Sequence, residues 1–236
     1  MEYLYSPKAN YDDFSSGRVL YNARGVPNFP VRLQAEIFCR ARQYLEKETE
    51  LCVYDPCCGG GYSLTILGFL FGDHIARICG SDIDAEMIRI AENNLSLLSK
   101  EGMAKRVAEI ESLYGLYHKE SHYEALESCK RLGAINTSHI QTELFAADCT
   151  LELPEMTVSD IIITDVPYGN LVQWSDPDKT PMDAMMHSLH EIASEKTVLA
   201  VCMDKKQKIV SDEWTRVEKA NIGKRRFEIY KYCEMF

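Results

Sequence analysis

The sequence predicts an α/β fold: a doubly wound, mostly parallel, seven-stranded sheet with a helical insertion. Three observations carry this. Short apolar runs alternate with amphipathic helical stretches along most of the chain. Repeated strand–helix units of that kind form a parallel sheet with helices on both faces. One polar stretch, residues 100–137, contains no strand and interrupts the rhythm.

Residues 1–29 read as an irregular segment, broken by Pro7, Gly17, Gly25 and Pro27. "FPVRLQAEIFCRARQYLEK" (29–47) follows as a helix, with Pro30 suited to its first turn. Val31, Ala35, Phe38 and Arg42 fall at helical spacing there, with Leu45 beyond. "LCVYD" (51–55) is a short buried strand, and "GYSLTILGFLFG" (61–72) an apolar helix ended by glycine. "ARICGSD" (76–82) is a second strand and "DAEMIRIAENNLSLLS" (84–99) an amphipathic helix. The stretch 100–137 reads as two polar helices, with six basic and six acidic residues. It is taken as an insertion within a single domain spanning 1–236. Its plain reading is a solvated hairpin, its sharper one a grip on substrate. "TELFAAD" (142–148) and "SDIIITD" (159–165) are strands three and four. "PMDAMMHSLHEIAS" (181–194) is a helix and "KTVLAVCM" (196–203) strand five. "WTRVEKANI" and "RRFEIYKYC" suit a closing antiparallel hairpin turned at "GKRR".

Composition excludes several classes. No apolar run approaches the roughly 20 residues that span a bilayer. The first residues do not read as a signal peptide, so a cytoplasmic location is expected. None of the nine cysteines has C-x2-C spacing, and the two histidine pairs, His118/His122 and His187/His190, lack a third ligand nearby in sequence. No metal is expected, and the cysteines read as reduced, mostly buried thiols. The net charge of −10 argues against a protein that coats nucleic acid. The charge is uneven, however: residues 196–236 hold ten Lys/Arg against six Asp/Glu. Lys205, Lys206 and Lys208, with Lys224, Arg225 and Arg226, read either as a solvated surface or as a docking strip for an anionic partner.

Ligands in open parallel sheets bind beyond the carboxyl ends of the strands. "DPCCGGG" (55–61) follows strand one, where glycines let the backbone turn sharply and approach a ligand closely. "SDID" (81–84) follows strand two, where an acid commonly takes the ribose hydroxyls. "AADC" (146–149) follows strand three and "TDVPYG" (164–169) strand four. The spacing is not G-x-G-x-x-G, and there is no Gly-Lys-Ser/Thr phosphate loop. Gly59 and Gly61, with Asp82 beyond them and an acid after strand three, suit the adenosine part of a nucleoside cofactor. Alone, "TDVPYG" reads equally as a strand exit.

In this order the four elements resemble the class I S-adenosylmethionine-dependent methyltransferases, whose Rossmann-like sheet matches the predicted plan. The last resembles the [Asn/Asp]-Pro-Pro-[Tyr/Phe] signature of enzymes that methylate amino nitrogens. "RVLYNARGVPNFPVRLQAEIF", "DPCCGGGYSLTILG", the insertion and "NIGKRR" are similar to the AviRa-type avilamycin-resistance rRNA methyltransferases. The resemblance, from about residue 18 to the end, implies S-adenosylmethionine as cofactor, a large-subunit rRNA guanine as substrate and a role in antibiotic resistance. It places Asp55, Gly59 and Gly61 around the methionine end, Asp82 on the ribose with Asp84 as an alternative, and Asp148 on the adenine. Asp165, Val166, Pro167 and Tyr168 become the acceptor site. Val166 departs from the signature's first proline, although the group used there is its carbonyl. The carboxylate of Asp165 and that carbonyl would orient an amino nitrogen toward the methyl group, and Tyr168 would stack on the base. A glutamine amide of a protein and adenine in DNA stay open as acceptors. A non-catalytic nucleoside- or RNA-binding domain is the reading from another class.

Overall fold

The computed structural model describes residues 1–22, 29–166 and 181–234. Seven strands, β1 (Leu51–Asp55), β2 (Ile75–Asp82), β3 (Gln141–Ala146), β4 (Ile161–Asp165), β5 (Val198–Asp204), β6 (Trp214–Ile222) and β7 (Arg225–Tyr232), form one sheet. Their order is β3-β2-β1-β4-β5-β7-β6. β1 to β5 pair in parallel, and β7 enters antiparallel between β5 and β6. The predicted closing hairpin is therefore present.

The strands sit where they do because of what each face buries. Successive side chains of a strand point to opposite faces. Val53, Ile161, Ile163, Val198 and Ala200 join one core with α1 (Val31–Arg42), α2 (Tyr62–Phe71) and α3 (Ala85–Ser96). Tyr54, Ile162, Leu199 and Val201 join the other with α6 (Pro181–Glu191), through Met182, Met185, Met186 and Leu189. β1, buried along its whole length, therefore shows no polar alternation. The edges are different: Gln141, Thr142 and Glu143 of β3 are exposed, and β6 alternates polar residues outward.

Helix ends depart from the sequence pattern by a few residues. α1 stops at Arg42 rather than near Lys47, and Pro30 takes the N-cap, not the first turn. Asp84 caps α3, its carboxylate accepting the Glu86 amide at 2.8 Å. β3 ends at Ala146, which leaves Asp148 in the loop beyond it.

α4 (Lys100–Tyr117) and α5 (Glu120–Gly133) form the inserted hairpin. It is not merely solvated: Met103, Ile110, Ala125, Cys129 and Leu132 are buried in the core that α1 to α3 share. It also clasps the N-terminal segment. Asp13 accepts from Arg131 at 2.9 and 2.7 Å, Tyr21 donates to Glu109 at 2.9 Å, and Arg106 donates to the Val19 carbonyl at 2.8 Å. Val19 and Leu20 are fully buried, so a segment without helix or strand periodicity is still core.

Candidate active site

The sheet order reverses between β1 and β4, because β1 leads to β2 on one side while β4 and β5 extend the other. Ligands bind at such a switch point, beyond the carboxyl ends. Asp55 ends β1 and Asp165 ends β4. Both line one small cleft with Phe29, Gln34, Ser63 and Thr164.

The glycine turn follows Asp55. The Cys57 amide donates to Asp55 Oδ1 at 3.0 Å and closes the turn on the strand end. Gly59 and Gly61 have φ of 51° and 70°, the left-handed region that other residues avoid. Gly61 has a second constraint: a Cβ there would lie 2.9 Å from Ala91 of α3. Beside Gly59 a Cβ would meet nothing within 4 Å, so that side of the turn is open. Buried Asn94 of α3 holds the turn from behind. It donates to the Gly60 carbonyl at 2.7 Å and accepts the Tyr21 amide at 2.7 Å, joining turn, helix and N-terminal segment.

Asp82 ends β2 and has two duties. Its Oδ2 accepts the Gly59 amide at 2.8 Å and its Oδ1 the Asp84 amide at 3.0 Å. A carboxylate offers about four acceptor sites, so each oxygen retains one. Asp84 Oδ1 caps α3, whereas Asp82 is the one of the two that also holds the glycine turn. The geometry thus assigns the two acids, undivided in sequence, different local roles. Asp148 Oδ1 accepts from both the amide and the hydroxyl of Thr150, at 2.9 and 2.7 Å. The preceding Ala147 amide donates to the Asp82 carbonyl at 3.0 Å, and Cys149 Sγ lies 3.4 Å from Cys57 Sγ. The loops after β1, β2 and β3 are therefore tied together.

Burial dominates the electrostatics. It lifts the Asp55 carboxyl to about 7, opposed by the Cys57 amide and reinforced by the charges of Asp82 and Asp165. Burial also raises Asp82, against the amides of Asp84 and Gly59, and raises Asp165, against the charge of Arg225. Three desolvated acids at adjoining strand ends make a site suited to a ligand that carries positive charge.

At the acceptor end, Asp165 Oδ2 receives Arg225 Nη1 at 2.6 Å, while Oδ1 is buried without a hydrogen-bond partner among the described residues. Val166 is fully buried, and its amide donates to the Cys202 carbonyl at 2.8 Å. Pro167 and Tyr168, predicted members of this site, lie outside the described residues.

The basic strip divides, which corrects the sequence reading. Arg226 is buried, not displayed: its guanidinium lies 2.9 Å from Glu228 and donates to the carbonyls of Lys205 and Gln207. Arg225 is turned into the acceptor site. Lys205, Lys206, Lys208 and Lys224 are exposed, and the Lys205 amide donates to the Lys224 carbonyl at 3.1 Å, joining the two runs beyond the carboxyl end of β5. Sequence reasoning also missed Gln34 and Asn94. Their signal was a polar amide on an otherwise apolar helix face. Among the described residues no helix is long and apolar enough to cross a membrane, and no cluster of three metal-ligating side chains occurs.

A sheet of this order, with one antiparallel strand and a glycine turn at its switch point, has the architecture of a class I S-adenosylmethionine-dependent methyltransferase. The family model of the rRNA methyltransferase AviRa matches residues 1–225, and the chain belongs to that family. It is 32% identical over 222 residues to the 23S rRNA (guanine(2535)-N(1))-methyltransferase of Streptomyces viridochromogenes, covering 90% of this chain and 88% of that protein. The 1.5 Å structure of rRNA methyltransferase aviRa from the same organism superposes with a TM-score of 0.87 at 29% identity, over 98% of this chain and 96% of that one. TrmN from Thermus thermophilus shares the fold alone, with a TM-score of 0.52 at 12% identity, over 87% of this chain and 49% of that one. The protein is thus an S-adenosylmethionine-dependent rRNA methyltransferase. Its glycine turn and desolvated acids fit that cationic cofactor.

Proposed function

We propose that the protein methylates the ring nitrogen N1 of a guanine in 23S rRNA. The amino nitrogen expected from the sequence gives way to N1, the atom in the relative's name. The observation that carries the reading is Oδ1 of Asp165 at the switch-point cleft, buried and without a hydrogen-bond partner among the described residues. A buried acceptor without a donor costs about 1–3 kcal/mol. The Watson–Crick edge of guanine brings the missing donor, N1–H.

S-adenosylmethionine supplies an electrophilic methyl group on a positively charged sulfur. Asp55, Gly59 and Gly61 hold its methionine end, Asp82 its ribose and Asp148 its adenine. Asp165 would accept the N1–H bond and take its proton as the methyl carbon passes from sulfur to N1, the S–CH3 bond breaking to leave a neutral thioether. The Val166 carbonyl accepts from the neighbouring amino group, which fixes the base in plane. Pro167 and Tyr168 complete the acceptor site, with Tyr168 as the stacking face. The whole chain acts as one methyltransferase domain, with the α4–α5 hairpin built onto α3. The exposed lysines beyond the end of β5 and in the β6–β7 turn receive rRNA phosphates. Avilamycin resistance would follow from the altered base edge.

The test is incubation with methyl-labelled S-adenosylmethionine and separate pools of rRNA, tRNA, DNA and protein. Label is expected in the 23S species. Label confined to protein or DNA would overturn the reading.

A further inference from the structure

We propose that Arg225 is a positioning residue for methyl transfer, holding Asp165 ionised and fixing which of its oxygens faces the base. The inference rests on the reading of Asp165 as the acceptor of N1–H.

The geometry is specific. Arg225 opens β7 opposite Asp204 of β5, and its side chain crosses to the end of β4. Nη1 meets Asp165 Oδ2 at 2.6 Å, and the guanidinium lies 5.1 Å from the centre of the Phe29 ring. The side chains of Arg225 and Asp165 are only 16% and 18% exposed. An arginine that served rRNA phosphates would keep its fork in solvent. This one is spent on a carboxylate and an aromatic face inside the cleft.

The chemistry requires such a group. Burial disfavours the charged form of a carboxyl, and a cation beside it restores that form. A neutral carboxyl presents an O–H, which is the wrong partner for N1–H. Among the described residues the other groups facing Asp165 do not supply the cation: Asp55 on β1 adds negative charge, and Cys202 on β5 offers a thiol. Arg225 therefore keeps the charge and ties down Oδ2, which leaves the buried Oδ1 as the oxygen with no donor among the described residues.

The experiment is a double-mutant cycle on single-turnover transfer to 23S rRNA. It uses Arg225→Gln, Asp165→Asn and the two together. Cofactor affinity, the salt dependence of rRNA binding and pH–rate profiles are measured in parallel. Arg225→Gln should slow transfer on the order of 10–100-fold, the scale on which loss of an orienting partner acts in metal sites. Cofactor affinity should hold, and the acid limb of the pH profile should move upward. The double variant should be no slower than Asp165→Asn alone, because Arg225 acts only through Asp165. Arg225→Lys, which keeps the charge, should recover part of the rate, and it replaces the glutamine variant if that misfolds. Additive losses with a salt slope reduced by about one would make Arg225 a phosphate ligand and overturn the proposal. Normal transfer by Asp165→Asn would instead sink the acceptor reading itself.

Discussion

The amide of Gly59 donates to Asp82 Oδ2 at 2.8 Å, so the acid at the end of β2 holds the glycine turn of β1 in place. Asp84, two residues on, spends its carboxylate on the first turn of α3. The two acids should therefore separate in experiment. Asp82→Ala should weaken S-adenosylmethionine binding about 10–100-fold, matching the 1.5–3 kcal/mol of a hydrogen bond to a charged group. Asp84→Ala should cost about 1 kcal/mol of stability, because α3 is left uncapped, and leave affinity near normal. Calorimetric titration and thermal melts on both variants decide this. The reverse pattern would move the ribose to Asp84.

Asp55 should make cofactor binding pH-dependent. Its folded carboxyl titrates at about 7, above its value of 3.8 in the unfolded chain. The folded state therefore binds the extra proton between those values, and stability falls as pH rises through that window. Asp55→Asn should melt higher than the parent at pH 8, and the difference should shrink toward pH 4. A cationic ligand favours the ionised form, so affinity of the parent should drop below pH 7. In Asp55→Asn it should be weak and nearly flat with pH. Parallel titration curves for the two proteins would remove Asp55 from the cofactor site.

Glu36 pins the N-terminus to α1. Its carboxylate accepts the amides of Leu4, Tyr5 and Ser6 at 2.8, 2.9 and 2.8 Å, and Arg40 at 2.8 Å. Burial works to raise its pKa, but these donors together hold it below the ordinary 4.5. Its contribution is therefore present above that value and disappears as pH falls through the lower folded value. Glu36→Gln should destabilise by about 3 kcal/mol near neutrality, as when one member of a buried pair is removed. The gap should narrow in acid. Denaturant melts at pH 7 and pH 3 check both statements.

The exposed lysines and Arg226 should behave differently. Replacing Lys205, Lys206, Lys208 and Lys224 with alanine should lower the salt slope of rRNA binding by about one for each phosphate no longer neutralised. Folding should be little changed. Arg226→Ala should leave Glu228 buried without its nearest cation and cost about 3–5 kcal/mol. A stable Arg226→Ala protein with a reduced salt slope would return Arg226 to the RNA surface.

Much of this architecture is legible in the sequence for physical reasons. β1, β4 and β5 are buried on both faces, so "LCVYD", "IIITD" and "VLAVCM" are continuous apolar runs. The four strand-end motifs mark the site because the fold brings the carboxyl ends together. What could not be read depends on side chains meeting across long separations. Arg225 and Arg226 are identical letters in one basic run. One reaches Asp165 sixty residues away, and the other turns inward to Glu228. The N-terminal segment shows no period because Glu36, Asn94 and Arg131 secure it through individual bonds. Asp84 and Asp82 are distinguished only by the cap geometry of α3.

The most direct measurement is nucleoside analysis of 23S rRNA after reaction with the protein and S-adenosylmethionine, by chromatography and mass spectrometry. The account predicts 1-methylguanosine, formed by the parent and reduced on the order of 10²–10³-fold by Asp165→Asn, the loss typical of a preorganised partner in the transition state. N2-methylguanosine in its place, or undiminished 1-methylguanosine from Asp165→Asn, would contradict it.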